Sequence, residues 1–166
     1  MGFHKSRAHG DAGENFVISL LKSINITAEK NSDLTIASKY DISCQMGRKK
    51  FTGEVKFDRM AEKTDNIAIE IFNPKSNKHS GINVTEADLW FHLIPDGDNI
   101  TCWFNKTSVI QDFIETNPPK KTVELAGDGN ATILLYAMSD TLNTVLLRLE
   151  NLEPKQAFKL IKEVLK

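Results

Sequence analysis

Two short segments that alternate apolar and polar residues constrain the fold of this chain more than any other feature of its sequence. They cover residues 39–46 and 51–58, and the connection between them contains Gly47. Alternation with a period of two is typical of half-buried strands, and two such segments joined by a short glycine-containing turn predict a β-hairpin. We therefore expect an antiparallel strand pair early in the chain.

The register of this hairpin brings charged side chains together. A turn centred on Arg48 and Lys49 places Asp41 opposite Lys56. Because residues i and i+2 of a strand share a face, Glu54 lies on the same face as Lys56. Two carboxylates and one ammonium group suit a hard divalent cation and a phosphate, which phosphodiester hydrolysis requires. An exposed cross-strand ion pair is the alternative interpretation.

A helix precedes the hairpin and carries a further charged candidate. Residues 14–24 have apolar side chains at helical spacing, with Asp11 before them as the expected N-cap. Glu14 shares its helix face with Val17 and Leu21, so its carboxylate is expected to point inward toward the same site. Asp11 and Glu14 are also spaced as a variant of the capping box, so a capping role for Glu14 stays open.

Further strands and helices are predicted along the rest of the chain. A strand over residues 66–72 carries Glu70, which lies beside Glu54 if that strand pairs next to the hairpin, and at a solvated edge otherwise. Thr85 and Asp88 have the spacing of a helix start, which favours a cap over a ligand. The remaining predicted elements are strands at 90–94 and 100–104, a helix at 107–115, a hairpin of 122–125 with 132–138, and helices at 141–150 and 154–165.

These features resemble the PD-(D/E)XK nuclease superfamily. The match consists of a helix with Glu14, a strand with Asp41, and a partner strand in which Glu54 and Lys56 stand two residues apart. It covers roughly residues 10–95. The residue before Asp41 is not the proline of the family name, a position that the family leaves loose.

The resemblance implies an α/β fold with an αβββαβ core, in which helices flank a mixed central sheet. The whole chain is then a single nuclease domain, with an extra C-terminal hairpin and helices over about 100–166. The resemblance also implies that Asp41, Glu54 and Glu14 bind Mg²⁺, with Mn²⁺ as a substitute. These three residues and Lys56 are the implied catalytic set.

Composition excludes several other classes of protein. Hydrophobic residues make up 40% and charged residues 26%, and no apolar run approaches the roughly 18 residues of a membrane span. The N-terminus lacks the apolar segment of a secretion signal, and Cys44 and Cys102 lack the spacing of a metal or redox motif. We therefore expect a cytoplasmic protein without a membrane partner, or one of the host-cell cytoplasm if a phage encodes it.

The formal net charge of −1 means that any contact with DNA must come from local basic patches. Three basic clusters are predicted around the carboxylate site, where they would offset its repulsion of phosphate. The candidate DNA-binding residues are Lys5, Arg7, Arg48, Lys49, Lys50, Lys75, Lys78 and Ser80. Most aromatic residues fall in apolar, core-like segments, so double-stranded or branched DNA is favoured over single strands.

Together these features predict a Mg²⁺-dependent DNA endonuclease that cuts double-stranded DNA at a specific site, as phage-type homing or restriction enzymes do. A Holliday-junction resolvase is the alternative enzyme, because Glu14 resembles the helix glutamate of resolvase-like members. The alternative from another class is a DNA-binding protein that keeps the nuclease fold without activity.

A homodimer or larger symmetric oligomer is also expected, because each chain offers one active site while a duplex has two strands. The broad apolar face of the helix at 154–165 is the candidate interface. The same pattern fits a helix that packs on its own sheet.

Overall fold

The computed structural model describes residues 3–32, 39–127 and 129–166, with side chains from residue 10 onward. The helices are α1 (Phe3–Ser23), α2 (Ala61–Thr64), α3 (Thr107–Thr116), α4 (Met138–Thr141) and α5 (Pro154–Val164). The strands are β1 (Thr27–Lys30), β2 (Ile42–Met46), β3 (Lys49–Phe57), β4 (Asn66–Asn73), β5 (Lys78–His79), β6 (Leu89–Asp96), β7 (Asn99–Lys106), β8 (Lys121–Ala126), β9 (Ala131–Ala137) and β10 (Leu147–Arg148). Within these ranges no helix is long and apolar enough to cross a membrane.

A mixed sheet, which we call the main sheet, lies at the centre of the described part of the chain. Its strand order is β1-β2-β3-β6-β7-β10. Neighbouring strands are antiparallel except β3 and β6, which run parallel. α1 packs on one face of this sheet. The arrangement confirms the predicted α/β class, with a mixed sheet and flanking helices.

The predicted hairpin exists as β2 and β3, but its register differs from the predicted one. The turn begins at Gly47, one residue earlier than expected. Gly47 has a φ of 61°, which glycine adopts without strain and which suits the first position of a two-residue hairpin turn. The pairing moves by two residues, which keeps every side chain on its face. As a result, Asp41 lies opposite Glu54 and not opposite Lys56.

The strand predicted over 66–72 forms as β4, but it belongs to a second sheet of order β5-β4-β9-β8. In the main sheet β3 pairs with β2 and β6, so of the two possibilities for the 66–72 strand, pairing beside the hairpin is not realised. The strand is also not an edge strand, because β4 lies between β5 and β9 in the second sheet. The strand that pairs with the outer side of β2 is β1, at one edge of the main sheet. It has four residues, of which Ala28 is buried. So short a strand gives no recognisable alternation.

Two hydrophobic cores fix the relation between these layers. The first lies under α1 and α5 on one face of the main sheet, and the second lies between the other face and the second sheet. Fully buried side chains of the first core include Val17, Leu21, Ile42, Phe91 and Phe104, and those of the second include Ile67, Ile82, Trp90 and Ile110. The face of β3 that carries Glu54 and Lys56 therefore lies at the margin of the second sheet.

The C-terminal third differs from the sequence prediction in one place. The helix predicted at 141–150 is wrong, because α4 ends at Thr141 and the chain then returns as β10 beside β7. Asn143 has a positive φ of 62°, which is incompatible with a continuing helix. The predicted hairpin of 122–125 with 132–138 is confirmed as β8 and β9.

The predicted C-terminal helix is confirmed as α5, and its apolar face is covered. Ala157, Ile161 and Leu165 are buried in the first core, and Phe158 packs against it. Of the two possibilities for this face, packing on its own sheet is therefore the one that the fold realises.

Candidate active site

Asp41 lies just before β2 and is fixed to the backbone of β3. Its backbone N–H donates to the carbonyl oxygen of Gly53 at 3.0 Å, and its Oδ2 accepts a hydrogen bond from the N–H of Val55 at 2.8 Å. These bonds hold the carboxylate beside Glu54, the next outward-facing residue of β3. The structure thus brings together the first two predicted site residues.

Glu54 is held from a second direction by Thr85. Its Oε2 lies 3.1 Å from the Thr85 hydroxyl, which is also 3.0 Å from the carbonyl oxygen of Lys39 and accepts the N–H of Ala87 at 3.2 Å. Residues 84–88 form no helix, so the prediction of a helix start at Thr85 is wrong. Instead, the loop that enters β6 places the Thr85 side chain, which is 9% exposed, against the predicted site.

Lys56 points along the same face of β3 and meets a carboxylate from the second sheet. Its Nζ lies 3.4 Å from Oε2 of Glu70, whose Oε1 accepts a hydrogen bond from the Ser80 hydroxyl at 2.7 Å. Gly81 permits this approach, since a Cβ there would lie 2.3 Å from the carbonyl oxygen of Glu70. Glu70 therefore joins the site from a strand that does not pair with β3.

Glu14 reaches the site from α1, and its capping role is excluded. The helix begins at Phe3, which places Asp11 and Glu14 in its interior. The Nζ of Lys30 lies 2.9 Å from Oδ1 of Asp11 and 3.1 Å from Oε2 of Glu14. Glu14 is thus a charged neighbour of Asp41 that is paired with a lysine from β1.

The site holds more negative charge than its surroundings stabilise. Burial and the charge of Asp41 raise the pKa of Glu54 to about 8, against the opposing effects of the Thr85 hydroxyl and Lys56. Burial also raises the pKa of Asp41 to about 6, although the Val55 N–H lowers it, and the Glu14 charge raises it further. An added cation would lower both pKa values by stabilising the ionised forms.

Carboxylate oxygens are available for such a cation. Within the described ranges no group of three His, Cys, Asp or Glu side chains is arranged so that it could hold a metal ion. Asp41 Oδ2 and Glu54 Oε2 have the partners given above, while Oδ1 and Oε1 have none among the described residues. Two carboxylates fit Mg²⁺, which keeps several waters and is commonly bound by one or two carboxylates and substrate phosphate.

The candidate DNA-binding residues have different surroundings. Arg48, Lys49 and Lys50 are exposed at the hairpin tip, and Lys75 and Lys78 are exposed around β5. Ser80 binds Glu70 and so belongs to the chain of contacts that reaches Lys56. The side chains of Lys5 and Arg7 lie outside the described residues, although their backbone is part of α1.

Sequence reasoning missed two contributors to the site. Lys30 ends a strand that gave no signal, and its pairing with α1 depends on how the helix packs. The spacing of Thr85 and Asp88 predicts a helix cap and not a contact with the site. The same spacing fits a loop in which Asp88 Oδ2 accepts the backbone N–H of Thr52 at 2.8 Å. An isolated threonine before a strand carries no signal that distinguishes these outcomes.

Comparisons of the chain with family models, with curated proteins and with solved structures find no match in any of the three. The resemblance to PD-(D/E)XK nucleases therefore stays a prediction. The case for function depends on the geometry and electrostatics of the site itself.

Proposed function

We propose that this chain is a metal-dependent DNA endonuclease of the PD-(D/E)XK type. The observation that carries the proposal is that Asp41, just before β2, lies beside Glu54 of β3, with Lys56 two residues further along the same face. Two carboxylates and an ammonium group at one margin of a sheet offer the charges that phosphodiester hydrolysis needs.

The metal would be held by Asp41 and Glu54, with Glu14 of α1 as a third carboxylate whose charge acts on both. When bound, Mg²⁺ would supply positive charge to the phosphate and lower the pKa of a water molecule. The raised pKa values of Asp41 and Glu54 support this role, because burial and the neighbouring carboxylates destabilise their ionised forms and a bound cation would stabilise them.

Lys56 would place its ammonium group toward the phosphate or the attacking water. The 3.4 Å contact with Glu70 limits the positions of its Nζ, and Ser80 in turn orients Glu70. Glu70 and Ser80 are positioning residues in this proposal. Thr85 has the same part for Glu54, whose carboxyl group it holds between β3 and the loop before β6.

Duplex DNA is the proposed substrate, and the exposed lysines at the hairpin tip and around β5 are its proposed contacts. A Holliday-junction resolvase is the second candidate, favoured by the position of Glu14 beside Asp41. Cleavage of a synthetic four-way junction, compared with a linear duplex library, distinguishes the two enzymes.

The deciding experiment incubates the full chain with genomic DNA in Mg²⁺, in Mn²⁺ and in chelator. We expect cleavage in both metals and none in chelator. Lys56→Ala and Glu54→Gln should each reduce cleavage at least about 100-fold and leave DNA binding in Ca²⁺ largely unchanged. These variants remove proposed catalytic groups and not the basic side chains proposed to contact the DNA backbone.

The chain supplies its own control for these variants. Lys155 belongs to a second Glu-x-Lys sequence, Glu153-Pro154-Lys155, at the start of α5, where it is exposed. Lys155→Ala should cut as the unchanged chain does. Full activity of Lys56→Ala would refute the assignment of the active site. If the unmodified chain binds DNA but cleaves it in neither metal, the alternative of an inactive DNA-binding protein is favoured.

A further inference from the structure

A cavity of about 420 Å³ opens beside the proposed active site, between the hairpin tip and the start of α3. Lys49, Lys50 and Lys106 line it and bring three positive charges. Two carboxylates also line it, but both are engaged. Glu86 pairs with Lys39 at 2.9 Å, and Asp88 accepts hydrogen bonds from Thr52. Asp88 keeps its negative charge, but Lys39 neutralises Glu86, so the lining carries an excess of positive charge that favours an anion.

The first turn of α3 points backbone donors at this cavity. The N–H of Thr107 donates to the carbonyl oxygen of Asp88 at 3.0 Å. The N–H groups of Ser108 and Val109 also belong to this first turn, for which the helix itself provides no acceptor four residues earlier. Lys106, in the N-cap position, makes no capping hydrogen bond with its side chain within the described part of the chain. The N-terminus of a ten-residue helix thus presents its first-turn N–H groups and the positive end of its dipole.

Thr107 provides an independent indication that this cavity accepts a ligand. The residue lines the cavity and is 4% exposed, and its hydroxyl oxygen is buried without a hydrogen-bond partner among the described residues. Buried hydroxyl groups nearly always have a partner. An acceptor oxygen seated at the start of α3 would provide one after a rotation of the side chain.

We propose that this cavity binds a phosphate group, through Lys50, Lys106, the Thr107 hydroxyl and the first-turn N–H groups of α3. Phosphate is the anion that helix N-termini and lysines commonly bind together. In the protein, its source is the backbone of bound DNA. That assignment rests on the proposed nuclease function, whereas the phosphate site does not.

The position of the cavity suits a DNA phosphate next to the cleavage site. Thr85 lines the cavity and also contacts Glu54. Lys50 lies on the same face of β3 as Glu54, four residues away, which is about 14 Å at about 3.4 Å per residue. A duplex backbone that passes the carboxylates along β3 would therefore meet the cavity.

The first test titrates inorganic phosphate into the full-length chain and follows the backbone amide signals by NMR. We expect saturable shifts at Ser108 and Val109. Thr107→Val, which keeps the shape of the side chain, should weaken binding several-fold, and the double variant Lys50→Gln/Lys106→Gln at least tenfold. The matched control is Lys120→Gln/Lys121→Gln, which removes two exposed lysines at the start of β8. This variant should bind phosphate normally. Absence of these shifts in the unmodified chain overturns the site without the need for any variant.

The second test identifies the source of the phosphate. Duplex binding in Ca²⁺ is measured as a function of salt, where each lost phosphate contact lowers the slope of log K against log salt by about one. We expect a less steep fall of log K with log salt for Lys50→Gln/Lys106→Gln than for the control pair. Equal slopes together with phosphate binding would overturn the DNA assignment and point to a free phosphate or a small phosphorylated ligand.

The two proposals fail in different ways. Phosphate shifts in a chain that never cuts DNA would refute the nuclease and support the phosphate site. Normal cleavage without phosphate shifts at α3 would refute the phosphate site and support the nuclease.

Discussion

The hydroxyl of Thr85 has one hydrogen and two acceptors within reach. The carbonyl oxygen of Lys39 at 3.0 Å can only accept, and Glu54 Oε2 lies at 3.1 Å. When the hydrogen points to Lys39, the contact with Glu54 is a hydrogen bond only if Glu54 is protonated and donates. When Glu54 is ionised, the hydrogen must turn toward it. Thr85 can therefore accommodate both protonation states of the buried carboxyl group.

The raised pKa of Glu54 makes stability depend on pH in a definite direction. Its pKa is about 8 in the folded chain against an ordinary value of 4.5, so between these values the folded state holds a proton that the unfolded state releases. Without a metal, stability should therefore fall as pH rises through this window, by at least about 1 kcal/mol. Asp41, with a pKa of about 6, adds to the fall in the lower part of the window.

Urea unfolding in chelator from pH 5 to pH 9 measures this dependence. Glu54→Gln should flatten the curve, and the exposed control Glu124→Gln should leave it unchanged. Mg²⁺ should restore stability most strongly at high pH, because it binds the ionised carboxylates. An identical pH dependence in Glu54→Gln and the unmodified chain would contradict the electrostatic account of the site.

At the scale of elements, the two sheets are joined by a buried polar junction at the end of β3. Asp58 Oδ2 accepts the N–H of Ala68 in β4 at 2.8 Å and lies 3.3 Å from Nε2 of His92 in β6. The indole N–H of Trp90 donates to Nδ1 of His92 at 3.2 Å, so in the neutral ring the hydrogen is on Nε2 and points to Asp58. This junction sets where β4, and with it Glu70, lies relative to Lys56.

Asp58→Asn should destabilise the fold by about 2 kcal/mol at pH 7, because the amide offers fewer acceptor positions to the donors around it. Burial raises the pKa of Asp58, but the hydrogen bond from His92 and the backbone donors outweigh it and lower the pKa below the ordinary 3.8. The contribution of Asp58 is therefore present above that value and lost as pH falls through the lower folded pKa. Urea unfolding should show the gap between the two proteins narrowing at acid pH.

The exposed Asp98→Asn is the control for this effect. A gap that stays constant down to pH 2 would show that the carboxylate charge is not the source of the stability. Weaker cleavage by Asp58→Asn at a pH where it is folded is also expected, since Glu70 would no longer hold Lys56 in place.

The extent to which sequence predicted these elements follows from how local each signal is. Alternation of apolar and polar residues predicts β2, β3 and β4, and helical spacing predicts α1 and α5, because each pattern depends only on residues within the element itself. The pairing partner of β4 cannot be read from β4 alone, because the apolar residues of that strand, Ile67 and Ile69, would be buried in either sheet. For the same reason Asp41, Glu54 and Lys56 were found from one hairpin, whereas the contacts of Thr85 and Lys30 depend on segments far apart in the chain.

At the scale of the whole molecule, the C-terminal segment cannot be removed without loss of the fold. Ile161 and Leu165 are buried in the first core, and Lys49 at the hairpin tip donates to the carbonyl oxygen of Leu165. Each buried aliphatic side chain contributes about 1.5–3 kcal/mol, and a domain is stable by only about 5–15 kcal/mol. Deleting residues 154–166 is therefore expected to unfold the chain, so that this deletion tests the fold and not an interface.

The predicted homodimer must then use a surface other than the apolar face of α5. In the proposed nuclease, one set of Asp41, Glu54 and Lys56 per chain would attack one strand, so a double-strand cut at a single visit would require two chains related by symmetry. Light scattering of the full-length chain, alone and with duplex DNA in Ca²⁺, should give the mass of a dimer in at least the DNA-bound state. The products in Mg²⁺ should then be linear duplexes from the first turnover. A monomer under both conditions, with nicked circles that accumulate before linear DNA, would contradict the dimer and assign the chain to nicking one strand at a time.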